Sequence, residues 1–220
     1  MILVLALLFT GPLAAADAAA GDGNRGPAPV ILVWGDSLSA AYGIPRESGW
    51  VQLLQQRLRE QGYPHRVVNG SISGETTAGG LGRLPAALKQ HRPAIVIVEL
   101  GGNDGLRGLP LKQLRANLTQ LVRLSQQAGA RVLLCEMQIP PNYGAAYTQG
   151  FQRTFAEVAQ AEGARRVPFL LADIATDRSA FQDDGIHPTL ASQPKLLDAV
   201  WPVLQAVLSG AGASARGGRP

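Results

Sequence analysis

Four glycine-rich polar turns carry the residue types from which a nucleophilic site can be built: Gly35-Asp36-Ser37-Leu38-Ser39, Asn69-Gly70-Ser71-Ile72-Ser73-Gly74, Gly101-Gly102-Asn103-Asp104 and Asp183-Asp184-Gly185-Ile186-His187-Pro188. Together they supply a hydroxyl, a base, an acid and hydrogen-bond donors, the parts that acyl transfer requires. Ser37 is a weak nucleophile at its own pKa and needs a neighbouring base. His187 suits that task, because an imidazole with a pKa of about 6.5 is largely neutral at neutral pH. Asp184 can reach back within one turn to hold the His187 Nδ1–H, fixing the tautomer and stabilising the imidazolium; Asp183 competes for the same role. Charge developing on a carbonyl oxygen needs donors aimed at it, and the backbone N–H groups of Ser37 and Gly74 with the Asn103 amide are the candidates. Glycine at 74 and at 101–102 lets the backbone come close.

Something must bring these turns together, and the rest of the chain supplies it. Short apolar runs alternate with stretches of helical spacing. The predicted strands are Val30–Trp34, His65–Asn69, Ala94–Leu100, Arg131–Met137 and a weaker Arg166–Leu170 interrupted by Pro168. The predicted helices are about 48–61, 77–91, 111–128, 147–162 and 188–208, with Gly129 and Gly163 as stops. Near-continuous Val/Ile/Leu strands alternating with helices imply right-handed crossovers and a parallel sheet covered on both faces, a three-layer α/β domain. Ligands bind such sheets outside the carboxyl ends of the strands, and the four polar turns follow strands there.

Other readings are weaker. Asp36 reads as a turn and hydrogen-bonding residue, Ser39, Ser71 and Ser73 as loop hydrogen-bonders, and His65 and His91 as surface or structural. No serine lies in G-x-S-x-G, so the nucleophile elbow of the α/β-hydrolases is absent. One cysteine, Cys135, forms no intrachain bridge, and three scattered histidines give no zinc-ligand spacing; no metal or organic cofactor is implied. The net charge of +4 is spread along the chain without a basic run, so no nucleic-acid partner is expected. Met1–Ala16 is apolar and followed by Ala16-Asp17-Ala18, which reads as a secretory signal over 1–18, too short for stable membrane insertion. A flexible lead-in (19–28), a folded domain (29–208) and a disordered tail (209–220) follow, and the mature protein is expected to be a periplasmic or secreted monomer.

The four turns, in this order and at this spacing, resemble the four blocks of the SGNH (GDSL) hydrolase superfamily. The strings SGETTAGGLGRLPAALKQH, VELGGNDGLRGLP, IPPNYG and DDGIHP are similar to a narrower group within it, the periplasmic thioesterase/lysophospholipase enzymes and their arylesterase relatives. Glu75 stands where these often carry Asp. The resemblance implies a flavodoxin-like α/β/α fold with five parallel strands in the order 2-1-3-4-5. It also implies a Ser37, Asp184, His187 triad, with D-x-x-H favouring Asp184 over Asp183, and an oxyanion hole of Ser37, Gly74 and Asn103. The expected activity is hydrolysis of acyl esters, thioesters or lysophospholipids through an acyl-enzyme. A polysaccharide acetylesterase is the alternative within enzymes, and a non-catalytic lipid- or carbohydrate-binding module the alternative outside them. Leu106, Leu109, Ile139 and Tyr143 on two apolar rim segments are expected to line an acyl groove, with Gly105 and Gly108 letting the first segment move.

Overall fold

The computed structural model describes residues 26–214. The expected leader at 1–18, most of the expected 19–28 lead-in and the last residues of the expected 209–220 tail lie outside the described residues. The chain runs β1 (Val30–Gly35), α1 (Trp50–Glu60), β2 (Arg66–Asn69), α2 (Thr77–His91), β3 (Ile95–Glu99), α3 (Gly102–Leu106), α4 (Leu111–Gln127), β4 (Arg131–Cys135), α5 (Ala145–Glu162), β5 (Arg165–Val167) and α6 (Gln193–Ser214). All five strands pair in parallel in the order β2-β1-β3-β4-β5, as the sequence led us to expect. At the centre Ile31 lies opposite Ile95 and Gly35 opposite Glu99.

Successive residues of a strand point to opposite faces, and here both faces are apolar. Ile31, Val33, Ile95, Ile97, Leu133 and Cys135 pack into one core with α1 and α6. Leu32, Trp34, Val96, Val98 and Leu134 pack into the other with α2, α4 and α5. Cys135 is fully buried, and burial, with Glu99 nearby, pushes its thiol well above the ordinary range.

Element boundaries differ from the sequence reading where backbone chemistry intervenes. β5 ends at Val167 because Pro168 has no N–H to continue the ladder. α6 starts at Gln193 and not at Pro188, since Pro188 is held extended by a bridge to Phe181 and Thr189 N–H is donated to Ala180. It runs beyond the expected Leu208 to Ser214, with Val207 and Leu208 still packed in the core. α3 was invisible in the sequence, being a single turn without apolar periodicity.

Gly105 also corrects the sequence reading, which gave it to loop movement. It is buried inside α3, and a Cβ there would sit 2.6 Å from both Ile139 Cγ2 and Phe151 Cε2. Close packing is its role. Gly101 enters α3 at φ +117, where a Cβ would lie 2.8 Å from Phe155 Cζ. Phe155 therefore supports the Asn103 turn from below while filling the core against Phe151, ring centroids 5.2 Å apart. Phe155→Ala is expected to lower stability by about 3–5 kcal/mol, read as a lower urea midpoint at unchanged slope.

Candidate active site

The first polar turn leaves β1 and is folded on itself: Asp36 O accepts from Ala40 N–H at 2.9 Å and Ser37 O from Tyr42 N–H at 3.2 Å. Asp36 is buried; its Oδ1 accepts from Leu38 N–H at 3.1 Å and its Oδ2 from Asn103 Nδ2 at 3.1 Å. Burial raises this carboxyl to about 6, against the opposing pull of those hydrogen bonds and of His187. The turn thus points Ser37, which is half-buried, outward while Asp36 turns in.

The acid and base arrive from the other end of the chain. His187 Nε2 lies 2.8 Å from Ser37 Oγ across 150 residues, and His187 Nδ1 lies 2.6 Å from Asp184 Oδ2. Asp184 Oδ1 accepts from the N–H groups of Ile186 (2.9 Å) and His187 (3.0 Å). With the His187 ring first and those two N–H groups next, its carboxyl is held at about 2, below the usual carboxylate range. Asp183 makes no such contact; its carbonyl instead accepts from Arg178 Nη2 at 2.8 Å.

Several residues that the sequence reading missed hold this loop. Arg178 Nη1 also binds the Gln182 carbonyl at 2.7 Å, and Gln182 Nε2 bridges the carbonyls of Tyr42 (2.9 Å) and Pro188 (3.0 Å). Gln182 therefore joins the serine turn to the histidine turn. Tyr42 lies over the His187 ring, centroids 4.3 Å apart. No sequence pattern marked Arg178, Gln182 or Tyr42, because their partners are mostly backbone carbonyls or lie far along the chain. Glu99 did carry a signal, as the one charge in an otherwise apolar strand.

Of the oxyanion candidates, Asn103 is tied to the serine turn and Gly74 to the end of α3. Asn103 lies in the first turn of α3, fixed through Asp36. Gly74 has φ +78, and its carbonyl accepts from Arg107 Nη2 at 3.0 Å. Its loop is anchored beneath by Gly35 N–H to Ser71 Oγ (3.0 Å), Ile72 N–H to Gly35 O (3.1 Å) and the Glu75–Arg83 ion pair (2.7 Å). The N–H groups of Ser37 and Gly74 find no acceptor among the described residues. Asp104 fixes α3 to the start of α2, accepting from Thr77 N–H at 2.8 Å and Thr77 Oγ1 at 2.5 Å.

The two rim segments that carry the four expected groove residues touch each other. Tyr143 OH donates to the Leu106 carbonyl (2.8 Å) and Tyr147 OH to the Leu109 carbonyl (2.7 Å), while Ile139 packs over Gly105. Leu106 and Tyr143 are exposed, and Leu109 and Ile139 half-buried. An open depression on the β2 side, lined by Arg46, Glu47, Gln52, Asn69 and Ser71, includes none of Ser37, Asp184 and His187. Among the described residues no three His, Cys, Asp or Glu side chains converge as metal ligands, and no helix is long and apolar enough to cross a membrane.

Comparison with known proteins points the same way. A family model, the GDSL-like Lipase/Acylhydrolase family, matches residues 33–193. The chain is 50% identical over 185 residues to the esterase TesA of Pseudomonas aeruginosa, covering 84% of this chain and 92% of that one. It is 40% identical over 171 residues to the thioesterase 1/protease 1/lysophospholipase L1 of Escherichia coli K12, covering 78% and 81%. The crystal structure of the psychrotrophic esterase EstA from Pseudoalteromonas sp., inhibited by monoethylphosphonate, superposes with a TM-score of 0.79 at 43% identity, covering 82% of this chain and 98% of that one.

The two aspartates give opposite pH signatures. Asp184 holds its proton less tightly folded than unfolded, so its stabilisation is present above about pH 4 and lost as the pH falls toward 2. Asp36 holds its proton more tightly folded, so stability grows as the pH falls through about 6 to 4. In urea unfolding, Asp184→Asn is expected to flatten the acid loss and Asp36→Asn to remove the gain below pH 6. Profiles identical to wild type would contradict these environments.

Proposed function

The chain belongs to the GDSL-like lipase/acylhydrolase family, and on that footing we propose that it is a serine esterase cleaving acyl esters and thioesters, with Ser37, His187 and Asp184 as its triad. The observation that carries this reading is the continuous Asp184–His187–Ser37 hydrogen-bond chain, at 2.6 and 2.8 Å, beside an Asn103 amide tied to the same turn through Asp36. Ser37 Oγ attacks the acyl carbonyl and passes its proton to His187 Nε2, while Asp184 stabilises the imidazolium. The tetrahedral oxyanion is held by the N–H groups of Ser37 and Gly74 and by Asn103 Nδ2. As the intermediate collapses, the leaving alcohol or thiol takes the proton from His187. Water then attacks the acyl-Ser37, gives a proton to His187, and the carboxylic acid leaves as Ser37 recovers its proton.

The substrate class follows the relatives: lipophilic acyl esters and thioesters, including lysophospholipids, with the acyl chain along Leu106, Leu109, Ile139 and Tyr143. A phosphonate is tetrahedral and anionic like the intermediate, so inhibition of EstA by monoethylphosphonate supports the same chemistry here. Residues 29–208 form the enzyme domain, acting as a monomer. The apolar Met1–Ala16 leader supports export to the periplasm or beyond, with cleavage after Ala18. The mass of the protein recovered outside the cytoplasm is expected to lack residues 1–18; an intact leader there would contradict it.

Kinetics on a p-nitrophenyl acyl series test the rest. Ser37→Ala is expected to lower kcat by about 10⁴–10⁶-fold and Asn103→Ala by about 10²–10³-fold. Leu109→Ser is expected to shift the preference toward short acyl chains. Full activity of Ser37→Ala would overturn the mechanism, and wild-type enzyme confined to acetyl esters would favour the polysaccharide acetylesterase.

A further inference from the structure

Glu99 closes β3 directly beneath the serine turn, fully buried, and no step above uses it. Its Oε2 accepts from Ser39 Oγ at 2.5 Å and from Asp36 N–H at 3.3 Å. Its Oε1 meets no donor among the described residues. The approach is close by construction: a Cβ on Gly35 would lie 2.4 Å from Glu99 Oε2 and 2.8 Å from Ser39 Oγ. The titratable groups facing this acid are the Asp36 carboxyl on the β1 turn and the Cys135 thiol on β4, with His187 beyond Asp36. None is a cation paired with it, so burial, with the Asp36 charge adding to it, favours its neutral form. A neutral carboxylic acid has a hydrogen to give, and Glu99, whose Oε2 already reaches the Asp36 N–H, keeps its Oε1 clear of any donor among the described residues.

We propose that Glu99 is a positioning residue for catalysis: it donates a hydrogen bond to the Asp36 carboxylate, which in turn orients the Asn103 amide toward the oxyanion. The Asn103 Nδ2 group has two hydrogens. Asp36 Oδ2, at 3.1 Å, takes one and leaves the other for the substrate oxygen. An amide flip would set Asn103 Oδ1 against a carboxylate, and is excluded while Asp36 stays ionised. Burial works against that ionisation, and a donor from Glu99 preserves it. This inference rests on Asn103 being an oxyanion donor.

The test compares wild type with Glu99→Gln, which keeps a donor, and Glu99→Met, which keeps the volume without one. Glu99→Gln is expected to stay within about threefold of wild-type kcat with the same acid limb. Glu99→Met is expected to lose about tenfold in kcat at pH 7 with KM unchanged, and to recover as the pH rises, because its acid limb moves up by about two units. Independently of any activity, the wild-type infrared spectrum at neutral pH is expected to contain a protonated carboxyl band that Glu99→Gln lacks; this holds even if Glu99→Met fails to fold. No such band, wild-type kinetics in Glu99→Met, or equal damage in both variants would overturn the inference. Asn103→Ala with full activity would instead overturn the oxyanion reading and this inference with it. An inactive Asn103→Ala beside an unaffected Glu99→Met would overturn this inference alone.

Discussion

The rim depends on the pairing of β1 with β3, which places Gly35 opposite Glu99 at the centre of the sheet. The two strands leave the sheet side by side, one into the Ser37 turn and the other into the turn bearing Asn103. At that point the strand order reverses: the chain beyond β1 passes to β2 on one side, and β3 and β4 continue on the other. Such a reversal opens a crevice between diverging connections. Asp36 spans it by accepting from Asn103 Nδ2, so the nucleophile turn and the amide are fixed to each other by a side chain buried in the floor. Two parallel strands thus act as a single support for groups 66 positions apart in sequence.

The histidine turn is built differently. It follows β5 without belonging to the sheet, and hydrogen bonds hold it in place of a strand. Arg178 gathers three successive carbonyls, of Phe181, Gln182 and Asp183, and the Phe181–Pro188 bridge closes the loop. Gln182 then connects it to the Tyr42 carbonyl. Hydrogen bonds to a charged group are stronger than neutral ones, which suits an arginine to hold an exposed loop that has little apolar area to bury.

Much of this was legible in the sequence, and the exceptions have physical reasons. The parallel sheet followed from alternating apolar runs and its strand order from the family likeness, and the bounds of α2 agree because Thr76 caps one end and Pro93 forbids continuation at the other. The meeting of Ser37 with His187 and Asp184, and of its turn with Asn103, could be anticipated because all four sit in polar turns that follow strands. What escaped was whatever acts without periodicity or through the backbone. α3 is one turn long, and Gln182 and Arg178 bind carbonyls that every residue carries. Gly105 was misread because glycine permits both motion and close packing, and only the positions of Ile139 and Phe151 distinguish the two.

Cys135 gives the molecule an internal clock. Its sulfur lies fully buried at the carboxyl end of β4 with the thiol held protonated, and thiolate is the form that reacts with disulfides, oxidants or alkylating agents. Side-chain fluctuations at the surface do not expose it; separating α1 and α6 from the sheet does, and that is nearly the whole fold. A folded molecule is therefore protected from cross-linking to its neighbours through Cys135 under oxidising conditions. The rate at which its single sulfhydryl is trapped measures how often the whole sheet opens.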